Sequence, residues 1–146
     1  MLARALVLLA GVGVAGCAPA GDTAEPVVLE LRTEGSRTAF LPDTLSVAPG
    51  ARVTLRMVNE GDIAHNLVVV ADEESVQPIV LAAYQSIATE YVPTGFDEAI
   101  VASTPLAYPG DTVEVSFTMP HVGGYTFVCV FPGHGSTMRG AVVATP

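Results

Sequence analysis

Cys129-Val130-Phe131-Pro132-Gly133-His134-Gly135-Ser136-Thr137-Met138 sets a thiol, an imidazole and a thioether on one short stretch of chain. Just before it, Tyr125 and Phe127 alternate with Thr126 and Val128, the period of a strand with one buried face. Cys129 then ends a strand, Pro132-Gly133 turns the chain, His134 projects from the turn, and Met138 starts the return toward a last strand, Gly140–Thr145. One thiolate and one imidazole do not complete a soft-metal site, so a second histidine must come from elsewhere. His65 follows the turn-forming run Asn59-Glu60-Gly61-Asp62 and opens the apolar run Asn66–Val70, a position expected where loops gather at the end of a sheet. His121, in Pro120-His121-Val122-Gly123-Gly124, reads instead as an exposed turn residue. Two imidazoles and a thiolate in one plane, with a weak axial thioether, suit type 1 copper, because the thiolate favours Cu(I) and the imidazoles suit Cu(II). The expected site is therefore His65, Cys129, His134 and Met138 around one copper ion. Met57 and Met119 have no such company and are read as packing residues, and Tyr125 as a corner residue whose hydroxyl bonds to backbone.

Outward from this loop the sequence is β-rich. Val27–Arg32 alternates loosely, Thr44–Val47 is a short strand closed by Pro49-Gly50, and Val53, Leu55 and Met57 alternate with Thr54, Arg56 and Val58. Val113, Val115 and Phe117 do the same against Glu114, Ser116 and Thr118. Short strands between Pro/Gly turns indicate an all-β, two-sheet sandwich. One insertion departs from this pattern, near residues 72–91. Acidic Asp72, Glu73 and Glu74 precede apolar Val76, Ile79, Val80, Ala83, Ile87 and Tyr91 at close to helical spacing. Pro78 suits an early helical position or delays the helix start to Gln77. The segment is expected to lie on the outside of the sandwich, between two strands.

At 146 residues, half of them hydrophobic and 14% charged, the chain can bury a real core. Its formal charge of -9 lacks the basic footprint that nucleic acid requires. An acidic surface fits either a basic protein partner or plain solubility. Residues 1–16 read as a signal segment: Arg4 is followed by the apolar Ala5–Gly16, too short to span a bilayer, for which about 20 residues are needed. Val14-Ala15-Gly16-Cys17 resembles a bacterial lipoprotein cleavage box, which would leave Cys17 lipidated at the start of the mature chain. An ordinary secreted protein cut near Ala18–Ala20 is the other reading. Residues 17–26 would then be a lipidated N-terminus and tether, spanning roughly 16 Å as a flexible coil, and residues 27–146 the folded domain. A lipidated Cys17 cannot pair with Cys129, so Cys129 would be a lone thiol in an oxidising compartment, protected by a metal.

Tyr125–Gly140 resembles the copper loop of the cupredoxins, and its Cys-x4-His-x3-Met spacing is that of the azurin and auracyanin group. His65-Asn66 is similar to the first-ligand segment of that group, and the helical insertion is similar to the azurin flap. The resemblance implies an eight-stranded Greek-key sandwich that shuttles single electrons and is not an enzyme. It assigns His65, Cys129, His134 and Met138 as ligands and Asn66 as the brace between the ligand loops. It also implies backbone N–H donors from Asn66 and Phe131 to the thiolate. Electrons would leave by the ring edge of His134, through a patch of Phe131, Pro132 and Gly133. Partners implied are redox proteins, such as c-type cytochromes or membrane electron-transport complexes, met by a monomer anchored outside the cytoplasm. That location is the outer face of the cell membrane, the periplasm or the outer membrane of a bacterium. Two departures stand out. Azurins carry glycine where this chain has Ala64, so no carbonyl ligand is assigned there, and the azurin disulfide is absent, leaving the N-terminal strand to packing alone. A periplasmic copper-delivery protein is the alternative function, although such proteins commonly use Met/His-rich surfaces and no such stretch occurs here.

Overall fold

Val53, Leu55 and Met57 all turn inward and are buried, because a period of two places them on one face of a ten-residue strand. The computed structural model describes residues 25–146; the expected signal segment 1–16 and Cys17 lie outside the described residues. Among the described residues, eight strands form two sheets. β1 (Val27–Gly35), β3 (Arg52–Gly61) and β6 (Thr112–Thr118) make a three-stranded sheet in that order. β2 (Thr44–Val47), β8 (Arg139–Ala144), β7 (Gly123–Val128), β4 (Val68–Val70) and β5 (Ile100–Ser103) make a five-stranded one. Leu31, Leu55, Met57, Phe40, Phe127 and Met119 fill the space between the sheets.

The N-terminal strand is not held by packing alone. β1 runs parallel to β3 from Val27↔Val53 to Gly35↔Gly61, a continuous ladder of backbone bonds, and Arg32 pairs with Glu60 across it. The expected turn at residues 59–62 also begins later, since β3 continues to Gly61. Asn59 sits there fully buried rather than in a surface turn. Its Nδ2 donates to the carbonyls of Ile63 and Ala107, both at 2.9 Å, and its Oδ1 accepts from Thr33 Oγ1 and Gly61 N–H.

The apolar run Asn66–Val70 gives only a three-residue strand, β4, but one buried on both faces. Val69 faces the inter-sheet core, whereas Val68 and Val70 face a second cluster with Val128, Val130, Val76, Ile79 and Ala83. That second cluster exists because helix α1 (Glu73–Ala83) lies on the outer face of β4 and β7. A strand covered on both sides reads as a continuous apolar run rather than an alternation.

α1 starts where its cap dictates. Asp72 is extended (φ -143, ψ 150) and its Oδ1 accepts from Ser75 N–H at 2.8 Å, so the helix begins at Glu73 and Pro78 falls inside it. It ends at Ala83, earlier than the spacing suggests. A short 3-10 turn follows at Ile87–Thr89, and Ile87 is 70% exposed instead of joining the apolar face. β5 was not foreseen. It is four residues long at the sheet edge, with Ala102 its single buried side chain, so it carries no legible alternation.

Candidate metal centre

β7 decides where the sulfur points. Along Phe127-Val128-Cys129-Val130 the period of two sends Phe127 and Cys129 into the inter-sheet core, and Val128 and Val130 under the helix. Beyond Cys129 the chain closes a loop through successive turns. Phe131 C=O accepts from His134 N–H at 3.0 Å, with Pro132 and Gly133 (φ 89) between them, which is a type II turn. His134 C=O then accepts from Thr137 and Met138 N–H, and Met138 C=O accepts from Cys129 N–H at 3.0 Å, which joins the two ends of the loop.

His65 comes from the other direction. It exchanges both backbone bonds with Ala107, at 3.0 and 2.7 Å, and Ala107 is itself held by Asn59. The next residue, Asn66, ties the two ligand segments together. Its Oδ1 accepts from Val130 N–H at 3.0 Å and lies 3.7 Å from the Cys129 sulfur, while its Nδ2 donates to Glu90 C=O. The backbone N–H groups of Asn66 and Phe131 lie near enough to the sulfur to favour its thiolate form.

The outcome is a compact donor set. His65 Nδ1 lies 3.8 Å and His134 Nδ1 3.5 Å from Cys129 Sγ, and the three ligand atoms all fall within 4.8 Å of one another. A first-row ion bonded at about 2.0 Å to nitrogen and about 2.3 Å to sulfur, with ligands about 120° apart, needs S···N separations of about 3.7 Å. The cage has that size. Met138 is fully buried in the same core cluster as Cys129.

Electrostatics point the same way. Burial, with the charge of His134 adding to it, lowers His65 to about 4, and burial also lowers His134, so both rings are neutral and offer lone pairs. Burial pushes the Cys129 thiol up to about 11 against the pull of the two N–H donors. At neutral pH it therefore ionises when a cation takes its proton's place. His65 Nε2 is buried without a hydrogen-bond partner, a cost offset when Nδ1 bonds an ion. Two neutral imidazoles and one thiolate leave a net charge of zero around Cu(I) and +1 around Cu(II), which is tolerable in a buried site.

His121 is exposed and takes no part. Its backbone bonds the Tyr125 hydroxyl, with Tyr125 buried at the corner as expected, and Met57 and Met119 are core residues. Sequence reasoning missed the supports: Asn59 read as a turn former, and Glu90, Tyr84 and Thr104 carried no local signal. Thr104 Oγ1 accepts from Leu67 N–H, and the Tyr84 hydroxyl accepts from Gly133 N–H at 3.0 Å, which joins the helical flap to the loop beside His134.

Known proteins are similar in sequence and in fold. Auracyanin-A of Chloroflexus aurantiacus is 36% identical over 121 residues, covering 81% of this chain and 74% of that protein. The solved structure of auracyanin A, a "blue" copper protein from that green thermophilic photosynthetic bacterium, superposes with a TM-score of 0.78 at 35% identity, covering 83% of this chain and all of the other. Dithionite-reduced auracyanin from Roseiflexus castenholzii gives 0.76 at 26% identity, covering 82% and 97%. The profile of copper binding proteins of the plastocyanin/azurin family matches residues 27–145. With one copper ion as the cofactor that His65, Cys129 and His134 are placed to bind, this chain belongs to the plastocyanin/azurin family of copper-binding proteins.

Proposed function

We propose that this protein is a membrane-tethered, one-electron shuttle between redox partners outside the cytoplasm, and not an enzyme. The observation that carries the reading is the convergence of Cys129 Sγ with the Nδ1 atoms of His65 and His134 at 3.8 and 3.5 Å. Bound there, copper supplies a Cu(I)/Cu(II) couple. Met138, buried beside Cys129, is assigned as the weak axial ligand. The protein's part is rigidity. A cage fixed by the Asn66 bridge, the type II turn and the Cys129–Met138 backbone bond changes little between oxidation states, which keeps the reorganisation small.

His134 is assigned as the exit. The residue is 9% exposed, with the Phe131 ring 5.0 Å from its own and half-buried Pro132 and exposed Gly133 beside it. Across the Tyr84–Gly133 bond the patch continues onto the flap, where Leu81 and Tyr84 are 60% and 47% exposed. Neither 130–138 nor 81–89 contains an acidic or basic residue other than His134, although the chain carries -9. An apolar rim of this kind suits a redox protein that must approach closely and part quickly. A lipidated Cys17 and the short tether would keep the domain near membrane partners.

Purified copper-loaded protein should absorb intensely near about 600 nm and show a narrow copper hyperfine splitting. A colourless, redox-silent copper form would defeat the reading. Transfer of copper to an apo-protein acceptor, faster than electron exchange, would favour the delivery role instead.

A further inference from the structure

We propose that Glu90 and Tyr91 are positioning residues, a clasp between the helical flap and the two ligand segments that sets the hydrogen bonding around the Cys129 sulfur. The proposal rests on the electron-transfer reading above. Among the described residues these two alone, glycine aside, hold left-handed backbone, with φ 53 and 69. Neither is Asn or Asp, the side chains that tolerate this region best, so two in succession persist only where surrounding contacts enforce them.

Three such contacts exist, and each leads to a ligand. Glu90 C=O accepts from Asn66 Nδ2 at 2.9 Å, which orients the Asn66 amide so that its Oδ1 meets Val130 N–H and faces the sulfur. Glu90 Oε2 accepts from Leu106 N–H at 2.8 Å, one residue before Ala107, the backbone partner of His65. The Tyr91 ring packs edge-on against Phe131 at 5.1 Å, and Phe131 lies 5.0 Å from the His134 ring and brings its backbone N–H near enough to the sulfur to favour the thiolate. One strained dipeptide thus reaches the segments of His65, Cys129 and His134.

The consequence concerns the sulfur's electrons. N–H donors drain density from a thiolate, and Cu(II) depends on that density more than Cu(I) does. A tight clasp therefore favours Cu(I), and a loosened one favours Cu(II).

The test compares Glu90→Ala and Tyr91→Leu with Glu90→Gln, which keeps an acceptor for Leu106, and with Val76→Ala, which trims a buried residue under the flap. Glu90→Ala and Tyr91→Leu should lower the preference for Cu(I) over Cu(II) by about tenfold, read as a fall of about 59 mV in the one-electron potential. In the metal-free protein, amide exchange at Val130 and Leu106 should speed up in the same two variants. Glu90→Gln should keep the parent potential, and Val76→Ala should lower the melting temperature without moving the potential. The clasp is overturned if Glu90→Ala and Tyr91→Leu leave potential and exchange unchanged. It is equally overturned if Glu90→Gln shifts the potential as far as Glu90→Ala, since charge would then be the cause, or if Val76→Ala does. Should the parent protein show no blue band, the copper reading fails, while exchange in the metal-free protein still judges the clasp.

Discussion

Cys129 is a fully buried thiol whose sulfur meets two imidazoles, so its replacement removes the one soft anionic ligand. Cys129→Ser should abolish the visible band while the sandwich still folds, checked by absorption and far-ultraviolet dichroism. Met138→Leu nearly conserves volume and removes only the thioether. It should leave a coloured centre with a higher potential in voltammetry, because losing a weak donor costs Cu(II) more than Cu(I). Loss of all copper binding would refute an axial role. The metal-free protein also has a predictable pH profile. His65 titrates near 4 when folded against 6.5 unfolded, because of burial and then His134, so the unfolded chain binds more protons between those values. Stability due to His65 is therefore present above 6.5 and lost as pH falls toward about 4. Cys129 acts at the other end: its thiol is raised from 9.0 to about 11, so its contribution is intact below 9.0 and lost as pH rises to about 11. Urea midpoints measured across pH should fall on both flanks. A midpoint that climbs between pH 6 and 5 would contradict a neutral, buried His65.

At the scale of elements, the flap helix is the part whose job is least visible in its own sequence. α1 seals the outer face of β4 and β7 with Val76, Ile79 and Ala83, and presents Val80 to the copper loop. A Cβ added at Gly135 would stand 2.6 and 2.7 Å from the two Val80 methyls, and valine is stiff about χ1. Gly135→Ala should thus push the helix and loop apart, costing about 1–3 kcal/mol and shifting the copper spectrum. Asp72→Ala provides the contrast. It removes the cap on Ser75 N–H and should cost about 1 kcal/mol, yet about 12 Å of helix separates the cap from Val80, which meets the loop at Gly135. Thermal unfolding should fall in both variants, and the spectrum should move in Gly135→Ala alone.

For the molecule as a whole, charge and apolar surface are segregated. Arg32 and Arg56 pair with Glu30, Glu60 and Glu114 on the three-stranded sheet, all solvent-exposed, so they contribute little to stability. The charge-free stretches 81–89 and 130–138 lie elsewhere on the fold, against the five-stranded sheet, although Glu73 at the start of α1 pairs there with Arg139. Among the described residues no helix is long and apolar enough to cross a membrane; the attachment proposed above is through Cys17. Expressed with its leader in a bacterial host, the parent chain should sediment with membranes, and Cys17→Ala should release it with an unchanged copper spectrum. A parent protein found wholly in the soluble fraction would remove the tether from the proposal.

Local pattern was enough for the parts of this protein that depend on neighbours in the chain. The inward faces of β3 and β7 follow from a period of two, the type II turn from Pro132-Gly133, and the cysteine, histidine and methionine of one loop from their spacing. Where α1 ends, that β5 exists, and that Asn59 is a buried brace could not be read this way. Their causes are contacts between segments far apart: Asn59 with Ala107, Glu90 with Asn66 and Leu106, Tyr84 with Gly133. His65 stands between the two cases. Its place before a strand was legible, but its arrival 3.8 Å from the Cys129 sulfur required a long-range pairing, because β4 and β7 are antiparallel neighbours in the five-stranded sheet and so bring the start of one beside the end of the other.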